Sequence, residues 1–212
     1  WNLGFKQTVA LGSDYPYAEW FGNRNFFVYV RGDFNFKNWL KAFKEGKTYV
    51  STGPVIDFTV EGQLPGSEIT LKAPGKLKVK LRARINPTLD TLKKIELVSM
   101  GKTIAEAIPE SKKEETDCTL EYELQVNQSL WIAGKALGKK TAGHTTAIYI
   151  TVAGKPFWNL DGLDKRITYM EGKLSELENL INDGTIPADQ GKYLLGYINK
   201  ARKVYKDMRA RE

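Results

Sequence analysis

Apolar and polar residues alternate with a period of two through the middle of the chain. Residues 55–61 place apolar side chains on one side and polar ones on the other; the apolar set is Ile56, Phe58 and Val60. Residues 76–84, KLKVKLRAR, alternate without a break, with the basic side chains outward. A period of two is typical of a half-buried β-strand, so both segments are predicted to be strands with one face in a core.

Further strands are predicted on both sides of these two. They are residues 25–30, 47–52, 92–100, 103–107, 119–126, 129–137 and 145–152, with a β-prone run at residues 6–11. Turn residues such as Gly53-Pro54 and Gly101-Lys102 separate the strands at intervals of about 8 to 12 residues, which is typical of a sandwich or barrel. We therefore predict a mainly β fold with α structure, centred on an Ig-like antiparallel β-sandwich over residues 46–154.

Helical patterns flank the predicted sandwich. Residues 36–45 place Trp39, Leu40 and Phe43 on one side and are followed by Gly46, which predicts a short helix. After residue 154 the apolar period changes to spacings of three and four, first from Leu163 to Ile181 and then from Leu194 to Met208. Residues 155–212 are therefore predicted to form a helical hairpin whose apolar stripes cover each other.

Several short segments in a fixed order resemble one enzyme family. The central ones are G-K-T-Y-V-S-T-G-P-V at residues 46–55 and E-G-Q-L-P-G at residues 61–66. Before them come Gly12-Ser13-Asp14 and Gly22-Asn23-Arg24, and after them S-L-W-I-A at 129–133 and G-H-T-T-A-I-Y-I at 143–150. In this order they resemble the CehA/McbA-type metallohydrolases, which are built on a PHP (polymerase and histidinol phosphatase) barrel. The resemblance runs from residue 1 to about residue 205.

The resemblance implies a division of the chain and a role for each part. Residues 1–45 would be the tail of the α/β (PHP) barrel with its last strand or strands and a linker helix, residues 46–154 the sandwich, and residues 155–212 the hairpin. The chain would be the non-catalytic C-terminal accessory region of a PHP-type metal-dependent hydrolase. Its partners would be the upstream barrel of the same protein and a small-molecule substrate, a phosphoester, an ester or a carbamate-like amide. Fold-level analogy does not choose among these substrates.

The histidine count limits the chemistry of the chain itself. The resemblance implies a centre of His, Asp and Glu side chains that hold divalent Zn, Mn or Fe in the parent enzyme, and this chain contains one His. No His-x-His pair and no Cys pair occurs. We therefore predict no complete metal site, no bound cofactor and no activity for this chain by itself.

Three residues are candidate site residues. Asp14 matches, by resemblance, the last metal-ligating Asp of the barrel; the alternative is an Asp that caps a turn. Arg24 resembles a substrate-binding position near the rim of the active site, where a guanidinium could bind an anion, and the alternative is a surface salt bridge. His144 is a substrate-binding candidate if the sandwich packs on the barrel, and the alternative is a structural hydrogen bond.

A dense group of aromatic residues leaves a second function open. Its members are Tyr15, Tyr17, Trp20, Phe21, Phe26 and Phe27. The rings either pack where the barrel tail meets the sandwich or form a platform for a ligand. The second interpretation predicts a carbohydrate- or protein-binding β-sandwich module.

Charge and composition exclude some classes of partner. The net charge of +7 comes from 32 basic and 25 acidic residues that are mixed along the chain, so a solvated basic surface is favoured over a nucleic-acid site. No apolar run reaches 18 residues, so no membrane span is predicted. Cys118 is the one cysteine, which excludes an internal disulfide. The sequence does not determine the cellular compartment, and a periplasmic or secreted location is one possibility. It also leaves open whether the chain forms a homo-oligomer. The sequence begins in mid-motif without Met, so we expect either a natural fragment or a deliberately trimmed chain.

Overall fold

The computed structural model describes residues 1–14, 16–17, 22, 24–158 and 162–210. These residues form eleven strands and three helices. The strands are β1 (Asn25–Val28), β2 (Thr48–Ser51), β3 (Val55–Val60), β4 (Glu68–Leu71), β5 (Gly75–Arg84), β6 (Leu92–Ser99), β7 (Lys102–Ala107), β8 (Asp117–Val126), β9 (Leu130–Gly138), β10 (Ala142–Thr145) and β11 (Ile148–Val152). The helices are α1 (Phe36–Lys44), α2 (Leu163–Asn182) and α3 (Ala188–Arg209).

The strands form a large sheet of eight strands and a small sheet of three. At the centre of the large sheet, β9 pairs with β6 along one edge and with β10 and β11 along the other. The sheet then continues from β10 to β2 and β1, from β11 to β4, and from β6 to β7. The small sheet has the order β3-β5-β8 and is antiparallel. Within the described residues there is no α/β barrel, and the predicted strand at 25–30 joins the large sheet as β1.

The two sheets share one apolar core, so the fold is a β-sandwich. Ile56, Phe58 and Val60 of β3 are fully buried, as the alternation of the sequence predicts. They pack in one cluster with residues of β5 and β8 and with large-sheet residues such as Ile95 and Ile132. Because every second residue of a strand faces the same side, this burial accounts for the period-two pattern in the sequence. The cluster also holds Cys118, whose thiol pKa is raised by burial.

Strand pairing departs from the sequence-based prediction in three places. The predicted antiparallel sandwich contains one parallel pair, β4 with β11. The predicted strand at 145–152 is two strands, because the chain changes partner from β2 to β4 around Thr146 and Ala147. The predicted strand at 6–11 is wrong. Two side-chain hydroxyls, and not a neighbouring strand, bind the main chain there. The Thr146 hydroxyl accepts a hydrogen bond from Val9 N at 3.0 Å, and the Thr48 hydroxyl donates one to Val9 O at 2.8 Å.

The C-terminal helices form the predicted hairpin. The chain folds as two compact units, residues 1–158 and 159–212, whereas the sequence-based division has boundaries at 45 and 154. Between α2 and α3, apolar contact is supplemented by ion pairs, with Arg202 bound to Glu178 at 2.6 Å and Arg209 bound to Glu171 at 2.9 Å. The buried side chains of the two helices follow the predicted stripes. Met170 of the first stripe is exposed, and Gly191 is buried outside the stripes.

A buried carboxylate fixes the turn between β9 and β10. Asp90 accepts hydrogen bonds from the main-chain N–H groups of Thr91, Lys140 and Thr141 and from the Thr141 hydroxyl, at 2.7 to 2.9 Å. Its carboxylate lies where a Cβ of Gly138 would stand, so residue 138 must be glycine. Burial acts to raise the pKa of Asp90, but these hydrogen bonds outweigh it and lower the pKa to about 2.

Asp90 is expected to make the sandwich sensitive to acid. Because the folded-state pKa of about 2 lies below the ordinary value of 3.8, the stabilisation is present above about pH 4 and is lost as the pH falls towards 2. Asp90→Asn should lower the free energy of unfolding by about 2 kcal/mol at neutral pH. It should also flatten the dependence on pH between 4 and 2. Urea unfolding at several pH values measures both, and an Asp90→Asn profile parallel to that of the unchanged protein would contradict the assignment.

Candidate functional site

The large sheet is apolar on both of its faces. The face turned away from the small sheet, here called the outer face, carries a second buried cluster. Its members are Trp131, Ala133, Ala147, Tyr149 and Phe157, with Trp1, Val98 and Met100 partly buried against them. A sandwich sheet ordinarily buries one face and exposes the other to water. The outer face of this sheet is therefore built to be covered.

The N-terminal residues cover part of this cluster. The Trp1 ring meets the Trp131 ring edge to face, with 5.1 Å between the ring centroids. The Trp131 indole N–H donates to Asn2 Oδ1 at 2.8 Å, and the Trp1 indole N–H donates to Gln7 O at 2.9 Å. The Trp158 indole packs so closely on Gly4 that a Cβ at residue 4 would lie 2.8 Å from Trp158 Nε1. Tryptophan rings and their N–H groups thus hold the first residues of the chain in place.

The covering segment continues to Val9. Lys6 forms an ion pair with Glu68 at 2.7 Å, and its ammonium lies 5.8 Å from the centroid of the Tyr149 ring. The main chain of Val9 is bound on both sides by the hydroxyls of Thr48 and Thr146, which also bond to each other at 2.8 Å. Thr48 and Thr146 both belong to the segments that carry the family resemblance, so part of that pattern serves to attach residues 1–9 to the sheet.

A row of six residues, four of them polar, crosses the outer face beside the apolar cluster. Register places its members side by side on six neighbouring strands, in the order Glu106, Glu96, Lys135, His144, Val50 and Phe26. Glu96 is 4% exposed and is bound by Lys94 at 2.6 Å and by Lys135 at 3.1 Å. Burial acts to raise the pKa of Glu96, and the two ammonium groups outweigh it and hold the pKa below its usual range.

His144 stands at the centre of this row and is exposed. Its Nδ1 lies 3.3 Å from Thr145 O, and its ring meets the Trp1 ring edge to face at 6.4 Å between centroids. The outer face is thus the surface on which the predicted substrate-binding histidine lies. Its neighbours on the adjacent strands are Lys135 and Val50.

Asp14 and Arg24 lie on the chain between the covering segment and β1. Asp14 is exposed, its backbone is left-handed with φ of 55°, and its carbonyl accepts from Tyr17 N at 2.8 Å in a turn. Arg24 is exposed immediately before β1, where Asn25 pairs with Ser51. In the described structure no hydrogen bond or ion pair joins any two of Asp14, Arg24 and His144. Among the residues that the structure describes, no group of three or more His, Cys, Asp or Glu side chains is placed to hold a metal ion.

Sequence reasoning did not identify Glu96, Lys94 and Lys135. Glu96 and Lys94 stand in the segment LKKIELVSM, where they read as outward polar residues of an ordinary strand. The register of β6 against β9 brings Glu96 opposite Lys135, and a single sequence does not reveal register between strands so distant in the chain. The one available signal is the apolar residue Val98 on the same side of β6, which indicates that this side is partly covered.

The aromatic group splits into packed and exposed members. Phe26 packs against Trp39 and Phe43 of α1, with ring centroids 6.0 and 5.2 Å away. Phe27 stacks on Tyr49 with 4.8 Å between the ring centroids, although 40% of its surface is exposed. Tyr17, by contrast, is 89% exposed. The other members, Tyr15, Trp20 and Phe21, lie outside the described residues.

The basic strand β5 faces carboxylates on both neighbouring strands. The pairs are Lys76 with Glu123, Lys80 with Glu121, Arg82 with Asp117 and Arg84 with Asp57, at distances of 2.5 to 2.9 Å. A phosphate backbone would have to compete with these carboxylates for the cations. In the described part of the chain, no helix is long and apolar enough to cross a membrane.

Comparison with known proteins assigns no family. No protein-family model matches the chain, and no curated protein matches it. Among solved structures, the fibronectin(III)-like modules of Clostridium thermocellum CbhA show 13% identity and a TM-score of 0.30, over 47% of this chain and 99% of that one. A superoxide reductase (neelaredoxin) from Ignicoccus hospitalis has 14% identity and a TM-score of 0.28, over 48% of this chain and 81% of that one. A polysaccharide lyase has 9% identity and a TM-score of 0.29, over 65% of this chain and 16% of that one. Similarity this weak carries no inference about the chain.

Proposed function

We propose that this chain is the non-catalytic accessory region of a PHP-type metal-dependent hydrolase, in which the sandwich buttresses an upstream barrel and shapes the rim of its pocket. One observation carries the proposal. The chain on each side of Asp14 is attached to the same strand, because Thr48 of β2 binds Val9 and the whole of β1 pairs with β2. The sandwich therefore fixes both ends of the segment that bears the proposed metal ligand.

The apolar outer face supports the same proposal. Residues 1–9 already lie across it, and a barrel that continues from those residues would add to this cover. Contacts of this kind between domains of one chain bury apolar surface together with polar groups. Glu96, Lys135 and His144 would then lie beside the contact.

The donor set of the chain does not fit a complete metal centre. Asp14 would supply one oxygen ligand, whereas a Zn, Mn or Fe site of this family type needs several His and carboxylate side chains. The remaining ligands would come from the barrel. Arg24 and His144 are proposed to bind substrate at the rim. A guanidinium binds a phosphate or carboxylate oxygen pair, and the ring nitrogens of an imidazole donate or accept hydrogen bonds.

The test compares the 212-residue chain with the same chain preceded by the polypeptide encoded upstream of it. We expect the longer protein to bind divalent metal and to hydrolyse p-nitrophenyl esters or phosphoesters, and the 212-residue chain to do neither. Asp14→Asn in the longer protein should lower bound metal and reduce kcat by about a hundredfold or more, since loss of even an outer-shell partner of a metal ligand typically costs about 10- to 100-fold. Asparagine tolerates the left-handed backbone, so the turn should persist.

Asp33→Asn is the control, because Asp33 is likewise an exposed aspartate, in the bend before α1. This variant should leave metal content and rate unchanged. Turnover by the 212-residue chain, or full activity in Asp14→Asn, would refute the proposal.

A second candidate, a binding module for carbohydrate or protein, is favoured by exposed aromatic rings. Tyr17 is 89% exposed and Phe34 is 83% exposed. Exposed aromatic side chains are common in binding surfaces. Two results together would favour this candidate over the first. The 212-residue chain would bind a ligand and lose that binding on Tyr17→Ala or Phe34→Ala, and the longer protein would show no hydrolysis.

A further inference from the structure

One face of α3 combines two exposed tyrosines with two lysines. A depression of about 440 Å³ is lined by Asp189, Lys192, Tyr193, Gly196, Tyr197 and Lys200. These positions recur at helical spacing and so form one stripe along the helix. The stripe differs from the packed side of α3, where Gly191 lies against Ile181 of α2 and Ile198 is buried.

Gly196 keeps the middle of this depression open. Glycine inside a helix costs about 1 kcal/mol relative to alanine. A Cβ at residue 196 would meet no atom within 4 Å, so packing of the described chain does not require glycine there. The missing side chain leaves the helix backbone accessible between Tyr193 and Tyr197. A flat ring of a ligand can therefore approach more closely at this turn than elsewhere on the helix.

The two tyrosines form a fixed pair. Their ring centroids are 4.9 Å apart with 67° between the planes, and their hydroxyls are joined by a hydrogen bond of 2.8 Å. Tyr193 and Tyr197 expose 67% and 52% of their surface. Such a pair offers an apolar ring surface together with phenolic hydroxyls that donate and accept. This combination suits a ligand that has C–H faces and hydroxyl groups.

The charges on this face suit an anionic ligand. Lys192 and Lys200 are eight residues apart, so they lie about 12 Å apart along the helix axis. Within the described residues neither forms an ion pair, whereas Arg202 and Arg209 on the packed side are bound to carboxylates of α2. Lys200 Nζ lies 5.5 Å from the Tyr197 ring centroid. Asp189 adds one carboxylate, which accepts hydrogen bonds from hydroxyls but repels other anions.

We propose that this face of α3 binds an acidic oligosaccharide. Carboxylates of uronic acid units would pair with Lys192 and Lys200, a sugar ring would pack on the tyrosine pair over Gly196, and hydroxyls would donate to Asp189. The observations favour a sugar over single-stranded nucleic acid, because the rings stand at 67° and do not form the parallel platform on which successive bases stack.

The test titrates the purified 212-residue chain with an oligogalacturonate by calorimetry. We expect saturable binding that Gly196→Leu weakens by at least about tenfold, because the leucine side chain would fill the middle of the depression. Leucine is a better helix former than glycine, so this variant should be no less stable than the unchanged protein. Gly172→Leu is the matched control, since Gly172 is also an exposed glycine inside a helix with no atom within 4 Å of a Cβ. It should leave binding unchanged.

Charge and sugar specificity provide the other arms. Lys200→Gln should weaken binding about fivefold to tenfold, and Lys206→Gln, a lysine of α3 outside the stripe, should not. A neutral malto-oligosaccharide of equal length should bind at least about tenfold more weakly. Unchanged affinity in Gly196→Leu, equal binding of the neutral sugar, or preferential binding of oligothymidylate would each overturn the proposal, as would the absence of oligogalacturonate binding.

Discussion

Replacing Gly66 with alanine should lower the free energy of unfolding by at least about 3 kcal/mol, the largest effect that we expect from a single methyl group in this chain. Gly66 has φ of +79°, and a Cβ there would lie 2.1 Å from Glu45 O. A Cβ at residue 46, in turn, would lie 3.2 Å from the Gly66 Cα. The two glycines of the central motif thus bring two stretches of main chain into direct contact, and main chain cannot rotate away as a side chain can.

Gly62→Ala separates the clash from the cost of the backbone conformation. Gly62 has nearly the same φ, +72°, but a Cβ there would meet nothing within 4 Å. We expect Gly62→Ala to cost only about 1 kcal/mol, the ordinary penalty of a left-handed alanine. Urea unfolding of the two variants measures the difference. Equal destabilisation by Gly62→Ala and Gly66→Ala would contradict the close approach at Gly66.

Trp131→Ala should lower the free energy of unfolding by about 3 to 5 kcal/mol, because it removes a large buried ring from the outer face. The ring contacts Trp1, and its N–H binds Asn2. Residues 1–9 should therefore lose their attachment as well. Hydrogen exchange of residues 1–9 should rise well before the sandwich unfolds, whereas exchange in the small sheet should change only with global stability.

Trp131→Phe is the control for the hydrogen bond alone. Phenylalanine keeps most of the apolar contact and lacks the indole N–H, so we expect a loss of about 1 to 2 kcal/mol. If Trp131→Ala leaves exchange at residues 1–9 unchanged, the N-terminal segment is held chiefly by Val9 and Lys6, and the tryptophan pair is not its anchor.

Elements with strong local patterns were predictable from the sequence. Strand β5 shows unbroken alternation, and its apolar residues are buried as predicted, because one of its faces lies in the core. Strand β3 behaves in the same way. The helices were predictable because their apolar spacing continues for about five turns and ends at Asp183-Gly184. In these segments the pattern of burial is local, so a single sequence contains it.

Features that depend on pairing were not predictable. The parallel pair of β4 and β11 joins segments whose local patterns also suit antiparallel strands. Residues 6–11 have the composition of a strand, but the hydroxyls of Thr48 and Thr146 bind Val9 where a neighbouring strand would otherwise do so. The ion cluster around Glu96 depends on which strand lies beside β6. Asp14, Arg24 and His144 were chosen by residue type and resemblance, and their roles as ligands stay predictions.

The position of β2 between β1 and β10 also orders events during synthesis. β2 ends at Ser51, whereas β10 begins at Ala142. As the chain leaves the ribosome, β2 can pair with β1 early but must wait for most of the domain before its second edge is occupied. Long-range pairing of this kind slows folding and leaves a strand edge unprotected in the meantime. A nascent chain halted before Ala142 would consequently present that edge to chaperones or to other nascent chains.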